Sequence, residues 1–319
     1  MMSTIALRAA DFDGHHVTVC ADDGTPLAAR VFGSDTAPLT VVFVHGHCLR
    51  TESWSFLREQ LRRQWGEGTR MVFYDHRGHG ESGSADPDTY TIDQLGHDLD
   101  AVLRTVAPSG PVVLVGHSMG AMVVLAYARL FPAAVGSRIV GIGLLAAAAG
   151  GLTTVGLARF LNRHAVSSLR AAVRRAPRLM QTSKRLSRRV FEPMVREAGF
   201  GTRKVNPHMA AIATAMLNDT PLLTMTSFLD SLIRFDENAT LRLLSDLPTL
   251  VLAGSADIMI PFAHSVVLAS QLSGAELVRL DGAGHSVILE RAEEVAAAVA
   301  ALVERAVGVD RGAAYAAAG

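Results

Sequence analysis

Short runs of apolar residues recur along the first half of the chain and again near its end. They lie at 16–20, 27–32, 39–44, 70–74, 111–115, 138–145, 248–254 and 275–280. Most of the later runs are continuously apolar, which is typical of parallel strands buried on both faces. Such a sheet needs helices on both sides to cover it. The pattern therefore predicts an α/β fold with a mostly parallel central sheet.

The stretch 91–106, between two of these runs, has helical periodicity. Thr91 and Gln94 have the spacing of a capping box, which marks a helix start. The apolar residues of one helix face follow: Ile92, Leu95, Leu99, Val102, Leu103 and Val106. We expect an amphipathic helix that covers one side of the sheet.

From residue 151 to residue 240 the strand pattern stops and helical periodicity replaces it. This region predicts a helical cap, or lid, inserted into a sheet domain formed by residues 1–150 and 241–309. Residues 310–319 are low in complexity and predict a flexible tail. The block 208–235 is rich in Met, Leu and Phe, and we expect it to line an apolar cavity.

Composition narrows the class of protein. The chain has 319 residues, of which 49% are apolar, and 30 basic side chains balance 30 acidic ones. A disordered tail protein or a nucleic-acid binder would not have this composition. The two cysteines, Cys20 and Cys48, do not suggest a disulfide framework. No stretch resembles a signal peptide or a membrane span, and we expect a cytoplasmic protein.

The strongest local motif is Gly116-His117-Ser118-Met119-Gly120, directly after one apolar run and directly before a helical pattern. Glycines two residues before and two residues after a serine permit a sharp strand-to-helix turn that exposes its hydroxyl. The helix N-terminus behind it favours negative charge. The sequence therefore predicts Ser118 as a nucleophile; the alternative is a helix-capping serine.

A serine nucleophile needs a base to take its proton and an acid to orient that base. Asp257 follows the run 248–254, and His285 follows the run 275–280. Strand ends of a parallel sheet meet on one rim, so Ser118, Asp257 and His285 are expected to come together. The alternatives are an Asx turn before Pro261 for the aspartate and a helix-flanking role for the histidine.

These motifs resemble those of α/β-hydrolase-fold enzymes, specifically serine hydrolases of the esterase and lipase type with a helical cap. The resemblance covers nearly the whole chain outside 151–240 and includes His45-Gly46, the run 75–82, Ser118, Asp257 and His285. It implies that the backbone N–H groups of His47 and Met119 form the oxyanion hole. Two preorganised donors are what a tetrahedral oxyanion requires.

Other side chains near these loops allow more than one interpretation. Histidines at 45, 47, 76, 79 and 117 could suggest a metal site, but members of this family often carry structural histidines at three of these positions, and we predict no metal. Asp75 and Arg77 are expected to brace the loops. Cys48 could be a reactive thiol, although the simpler interpretation is that it packs as a small apolar residue.

The cap is basic. Between residues 151 and 205 there are 13 Lys or Arg and two acids, a local net charge of 13 − 2 = +11. One interpretation is a solvated arginine surface. The other is a lid whose basic side contacts an anionic head group, a membrane or an acyl-carrier partner.

Together these features predict a cofactor-free hydrolase that cleaves a medium-sized, largely apolar ester, lactone or thioester, a reaction that fits lipid metabolism. A perhydrolase or a C–C bond hydrolase would use the same residues, and a non-catalytic ligand-binding relative would also tolerate them. The residues expected to contact the acyl substrate are Cys48, His117, Met216 and Phe228. The oligomeric state is not predicted.

Overall fold

The central sheet of the protein is mostly parallel. The computed structural model describes residues 14–156, 163–184, 199–202 and 206–317, and within them eight strands have the order β1-β2-β4-β3-β5-β6-β7-β8. β2 runs antiparallel to β1 and β4, and every other neighbouring pair is parallel. The strands are β1 (His15–Cys20), β2 (Pro26–Phe32), β3 (Thr40–Val44), β4 (Arg70–Tyr74), β5 (Val112–His117), β6 (Ile139–Leu145), β7 (Thr249–Gly254) and β8 (Ala275–Leu280). The predicted α/β fold is confirmed.

The described α-helices either cover the two faces of this sheet or belong to the segment between β6 and β7. They are α1 (Ser55–Trp65), α2 (Ile92–Val106), α3 (Met119–Leu130), α4 (Arg163–Arg175), α5 (Pro207–Asp219), α6 (Leu222–Arg234), α7 (Ala263–Ser270), α8 (Val287–Glu290) and α9 (Ala292–Ala317). Side chains alternate along β3, so that Val42 and Val44 pack with α2 and α3 in one core. Val41 and Phe43 pack with α1 and α9 in a second core on the opposite face. This alternation explains why the central strands are apolar at every position.

The α2 helix shows half of the predicted capping box. The Thr91 hydroxyl accepts a hydrogen bond from the backbone N–H of Gln94 at 3.1 Å. The reciprocal bond is not formed, because the Thr91 N–H donates to the carbonyl of Thr89 and the Gln94 side chain donates to Asp98. Asp98 competes for the Gln94 amide one turn further along the helix.

A buried ion pair joins the loop after β4 to α2. Arg77 and Asp98 both have fully buried side chains. The guanidinium donates two bonds of 2.6 Å to Asp98, one of 2.7 Å to Asp23 and one of 2.8 Å to Thr89. This bidentate geometry fixes the loop that borders the site, and the predicted bracing role of Arg77 is confirmed.

The three helices α4, α5 and α6 lie in the chain between β6 and β7, where the insertion is predicted. Arg170 and Arg174 of α4 form ion pairs of 2.8 and 2.6 Å with Asp88 on the sheet domain. Lys184 donates to three carbonyl groups at the end of α5, where a cation meets the negative end of the helix dipole. Part of the positive charge of the cap thus holds the cap in place.

Parts of the cap and the end of the chain need separate comment. The cap residues 157–162, 185–198 and 203–205 lie outside the described residues. Much of the basic and apolar pattern that the sequence shows in the cap falls on these residues. Of the tail predicted at 310–319, residues 310–317 continue α9, in keeping with the helix propensity of their alanines. The flexibility of the tail stays a prediction. No described helix combines the length and the apolar character needed to cross a bilayer.

We expect Asp98→Ala to destabilise the protein by about 3–5 kcal/mol, because it leaves the Arg77 guanidinium buried without its bidentate partner. Urea unfolding at pH 7 measures the change. The matched control is Asp100→Ala on the same helix, which breaks a partly exposed ion pair with Arg104 and should cost roughly 0–1 kcal/mol. Equal losses in the two variants would contradict the bracing role of the buried pair.

Candidate active site

Ser118 occupies a strained turn between β5 and α3. Its backbone has φ 54° and ψ −118°, a conformation that L-residues rarely adopt. A Cβ at Gly120 would lie 2.0 Å from the Val44 carbonyl oxygen, and a Cβ at Gly116 would lie 2.5 Å from the Ala121 backbone. Only glycine fits at these two positions. The turn holds the serine side chain at the C-terminal edge of the sheet, as the motif predicts.

The structure brings Ser118, His285 and Asp257 together in one hydrogen-bonded chain. His285 Nε2 lies 2.9 Å from Ser118 Oγ, and His285 Nδ1 lies 2.8 Å from Asp257 Oδ2. A carboxylate only accepts, so Nδ1–H donates to Asp257, and the unprotonated Nε2 accepts from the serine hydroxyl. The arrangement allows the imidazole to take the serine proton.

Asp257 has two roles that the sequence presented as alternatives. Its Oδ1 atom accepts the backbone N–H groups of Met259 and Ile260 at 2.8 and 2.9 Å, which is an Asx turn. Its Oδ2 atom bonds to His285. The Asx turn is therefore present, and it holds the carboxylate that bonds to the imidazole. The catalytic role of Asp257 stays a prediction.

The two residues expected to supply the oxyanion donors, His47 and Met119, lie in segments next to Ser118. A Cβ at Gly46 would lie 3.1 Å from Ser118 Cβ, which shows how closely the loop carrying His47 approaches the serine. Met119 is the first residue of α3, where a backbone N–H has no acceptor within the helix. The Cys48 N–H donates to His79 Nε2 at 3.2 Å and anchors the loop. The oxyanion role of His47 and Met119 stays a prediction.

Buried histidines hold the surrounding loops through hydrogen bonds of defined tautomers. His45 Nε2 accepts the His76 N–H at 3.0 Å, so its Nδ1–H donates to the Gly46 carbonyl. His76 Nε2–H donates to the His45 carbonyl, and His117 Nε2–H donates to the His285 carbonyl at 2.9 Å. These neutral rings connect the loops at neighbouring strand ends through hydrogen bonds. Within the described ranges no group of three His, Cys, Asp or Glu residues could hold a metal ion.

Burial sets the protonation state of these rings. Desolvation lowers the pKa of His76 and His117 to about 3 and that of His47 to about 4. It also lowers the pKa of His45 and His79 well below the ordinary value. Burial raises the pKa of the Asp75 carboxyl to about 7, although the N–H groups of Thr51 and Glu81 favour its charged form.

His285 differs from the other histidines of the site. Burial lowers its pKa, but the charge of Asp257 and the hydrogen bond to it, with a further contribution from Glu290, bring the pKa above 6.5. The ring is therefore the one at this site that gains a proton most easily. This property suits a group that accepts a proton during a reaction and then returns it.

Two cavities of about 400 and 220 Å³ meet at Ser118 and His285. We call them the large arm and the small arm. The cap contributes Leu169, Ala213, Leu217, Leu222 and Met225 to the large arm. The small arm is lined by apolar side chains that include Met122, Leu152, Leu232, Ile233 and Ile260. Both arms present an apolar surface to a ligand.

The four residues expected to contact substrate divide into two pairs. Cys48 and His117 line the large arm, and burial raises the pKa of the Cys48 thiol to about 12, which opposes nucleophilic reactivity. Met216 and Phe228 are not among the residues that line either arm, so their prediction is corrected. Both are almost fully buried in the hydrophobic cores, because they lie on the sides of α5 and α6 that face the protein interior.

Met259 and Leu229 border both arms. Sequence reasoning missed Met259, and it included Leu229 only as part of the block 208–235 that was expected to line an apolar cavity. Met259 follows Asp257 in the Asx turn and is partly exposed. No motif identifies these residues. A 3.6-residue period on α6 places Leu229 beside Leu222, Met225 and Leu232, but it does not reveal which side of the helix faces the cavity.

The family model described as "Alpha/beta hydrolase family" matches residues 41–298. Among curated proteins, the polyketide synthase ThaQ of Burkholderia thailandensis is 44% identical over 77 residues, which are 24% of this chain and 4% of that protein. The bifunctional esterase/perhydrolase DCH of Acinetobacter calcoaceticus is 32% identical over 114 residues, which are 36% of this chain and 39% of that protein. The matches thus span well under half the length of these relatives.

Solved structures share the fold over most of the chain. A thermophilic esterase from Thermogutta terrifontis superposes with a TM-score of 0.70 at 23% identity, covering 92% of this chain and 99% of the esterase. At this level of identity the likeness concerns the fold.

The neutral histidines make the site sensitive to acid. Their pKa values are lower in the folded protein than in the unfolded chain, so the unfolded chain binds more protons below pH 6.5 and stability falls as the pH falls toward 4. Six histidines have a lowered pKa, these five rings and His264, whereas burial raises the pKa of three carboxyls, Asp75, Asp98 and Glu290. The histidines outnumber the carboxyls, so we expect a net uptake of protons on unfolding. Urea unfolding at several pH values measures this slope.

The control for this experiment is His15→Gln, which changes an exposed histidine on β1 and should keep the wild-type slope. A free energy of unfolding that is constant between pH 6.5 and 4.5 would contradict the neutral state of the buried rings.

Proposed function

The chain belongs to the alpha/beta hydrolase family, and on this basis we propose that it is a serine hydrolase acting on medium-sized, largely apolar esters, lactones or thioesters. The observation that carries the proposal is the chain of 2.9 and 2.8 Å contacts from Ser118 through His285 to Asp257. This chain lies where two apolar cavities meet. A nucleophile, a base and an orienting acid within hydrogen-bond reach support acyl transfer.

The proposed reaction has two steps. Ser118 Oγ attacks the carbonyl carbon while His285 Nε2 takes its proton, and the imidazolium then gives that proton to the leaving group. Water attacks the acyl-enzyme while His285 Nε2 takes its proton, and the imidazolium returns that proton to Ser118 Oγ as the acid product leaves. Asp257 holds the Nδ1–H tautomer throughout, and the N–H groups of His47 and Met119 stabilise the oxyanion in both steps.

The lining of the two arms supports a neutral substrate. The described lining contains no Lys, Arg, Asp or Glu. The large arm, at about 400 Å³, has nearly twice the volume of the small arm, at about 220 Å³. We propose that each arm takes one of the two apolar groups that flank the scissile bond. Contact of the basic cap with an anionic head group, a membrane or an acyl carrier stays a separate proposal.

A second candidate reaction is perhydrolysis, in which hydrogen peroxide replaces water in the second step. It is favoured by the 32% identity, over 114 residues, with a relative named as a bifunctional esterase/perhydrolase. The same acyl-enzyme would serve both reactions. Assays with and without hydrogen peroxide distinguish them, because perhydrolysis yields a peracid that oxidises a halide indicator.

Ser118→Ala is expected to reduce kcat for p-nitrophenyl esters by on the order of 10⁶, because the parts of such a catalytic unit act together. A fluorophosphonate probe should label the wild-type protein and leave the variant unlabelled. Ser270→Ala, which changes an exposed serine of α7, is the control and should keep both activities. An active Ser118→Ala variant would remove the proposed nucleophile, and a wild-type protein inert to the probe would favour ligand binding alone.

The two arms should control opposite ends of the substrate. Ile233→Trp fills the small arm and Ala213→Trp fills the large arm. One variant should lower kcat/KM by at least about 10-fold for esters with a long acyl group, and the other should do so for esters with a long alcohol group. Measurements use one ester series with lengthening acyl chains and one with lengthening alcohols.

Val266→Trp, on the exposed surface of α7, controls for the introduction of a bulky side chain and should affect neither series. If Ile233→Trp and Ala213→Trp penalise the same series equally, the assignment of one substrate group to each arm is wrong.

A further inference from the structure

The loop that carries His285 packs against a short segment of the cap region, residues 199–202. The Ser286 N–H donates to the Gly199 carbonyl at 2.8 Å, and the Thr202 N–H donates to the Gly282 carbonyl at 3.0 Å. These two bonds lie on either side of His285 in the chain. The segment 199–202 therefore supports the loop on both sides of the histidine.

The contact between these segments is backbone against backbone. A Cβ at Gly201 would lie 2.1 Å from the Gly282 carbonyl oxygen, and a Cβ at Gly284 would lie 2.4 Å from the Gly201 nitrogen. Two glycines are thus needed for the approach. The approach also brings the N–H groups of Gly201 and Gly284 close together, and both of them need an acceptor.

Glu290 supplies that acceptor. Its carboxylate accepts the Gly201 N–H at 2.9 Å and the Gly284 N–H at 3.0 and 3.2 Å. Gly284 directly precedes His285, and Glu290 is the last residue of the one-turn helix α8 that follows the loop. One side chain thus joins the catalytic-histidine loop to the segment 199–202.

We propose that Glu290 is a positioning residue for His285, acting through the Gly284 backbone and through its negative charge. The inference rests on the proposed function, in which His285 is the base. Glu290 does not bond to Ser118, His285 or Asp257 in the described contacts, so its effect on the reaction is indirect.

The charged neighbours of His285 define the electrostatic part of this role. Asp257 bonds to Nδ1, and the His117 ring lies 5.2 Å from the His285 ring, centroid to centroid. Burial lowers the pKa of His117 to about 3, so His117 is neutral in the working range. Asp257 and, to a smaller extent, Glu290 raise the pKa of His285. Burial raises the pKa of Glu290 itself, whereas the two N–H groups that it accepts and the nearby Arg291 favour its charged form. Removing the Glu290 charge should therefore make the imidazole a weaker base.

The test uses Glu290→Gln, which removes the charge but keeps the size of the side chain. We expect the acid limb of the kcat/KM profile to move to lower pH by roughly half a unit, the size expected for one partly screened charge. Histidine NMR titration should show the same shift for His285. A matched control is Glu294→Gln, which removes a charge that pairs with Arg291 and should leave both profiles in place.

Glu290→Ala removes the carboxylate completely. It should lower kcat by about 10- to 100-fold with little change in KM, because a loosened loop misplaces His285 relative to Ser118. If this variant does not fold, Glu290→Gln decides the question.

The outcomes separate this inference from the proposed function. A wild-type protein without esterase activity would refute the proposed function, whereas the NMR titration still reports on Glu290 and His285. An active wild-type enzyme whose Glu290→Gln variant keeps the kcat/KM profile and the His285 titration would overturn the inference alone.

Discussion

Close packing of backbone around Ser118 is the constraint on which the site depends. The Val44 carbonyl at the end of β3 leaves no space for a Cβ at Gly120, and the Ala121 backbone leaves none at Gly116. With no room on either side, the chain between β5 and α3 turns through the strained conformation of Ser118. The strain is maintained because β3, β5 and residues 119–128 of α3 are buried around it.

The same packing brings the other groups into place. Gly46 lies against His117 and Ser118, so the loop after β3 passes beside the serine. The His117 side chain donates to the His285 carbonyl, which connects the turn at Ser118 to the loop that carries His285. Neutral histidines suit these positions, since a ring nitrogen bonds to the backbone without placing an uncompensated charge in the interior. His45 and His79 bond to the backbone through both ring nitrogens.

The sequence predicted the parts of the structure that local chemistry determines. The strand runs, the turn at Ser118 and the positions of Asp257 and His285 follow from apolar patterns and glycine spacing. Cavity-lining residues on a helix were harder to identify, because the rotation of the helix about its axis decides which side chains face the cavity. Met216 and Ala213 lie less than one turn apart on α5, yet only Ala213 lines the large arm. Glu290 was missed because a single glutamate one turn after a loop has no sequence signature.

The central claim is that Ser118 becomes covalently acylated during turnover. A p-nitrophenyl carbamate tests it most directly, because it forms a carbamoyl-enzyme that hydrolyses slowly enough to be isolated. Intact mass spectrometry should find one carbamoyl group per chain, and peptide mapping should locate it on Ser118, in step with loss of ester hydrolysis. Modification of another residue such as Cys48, or full activity with no covalent adduct, would contradict the account.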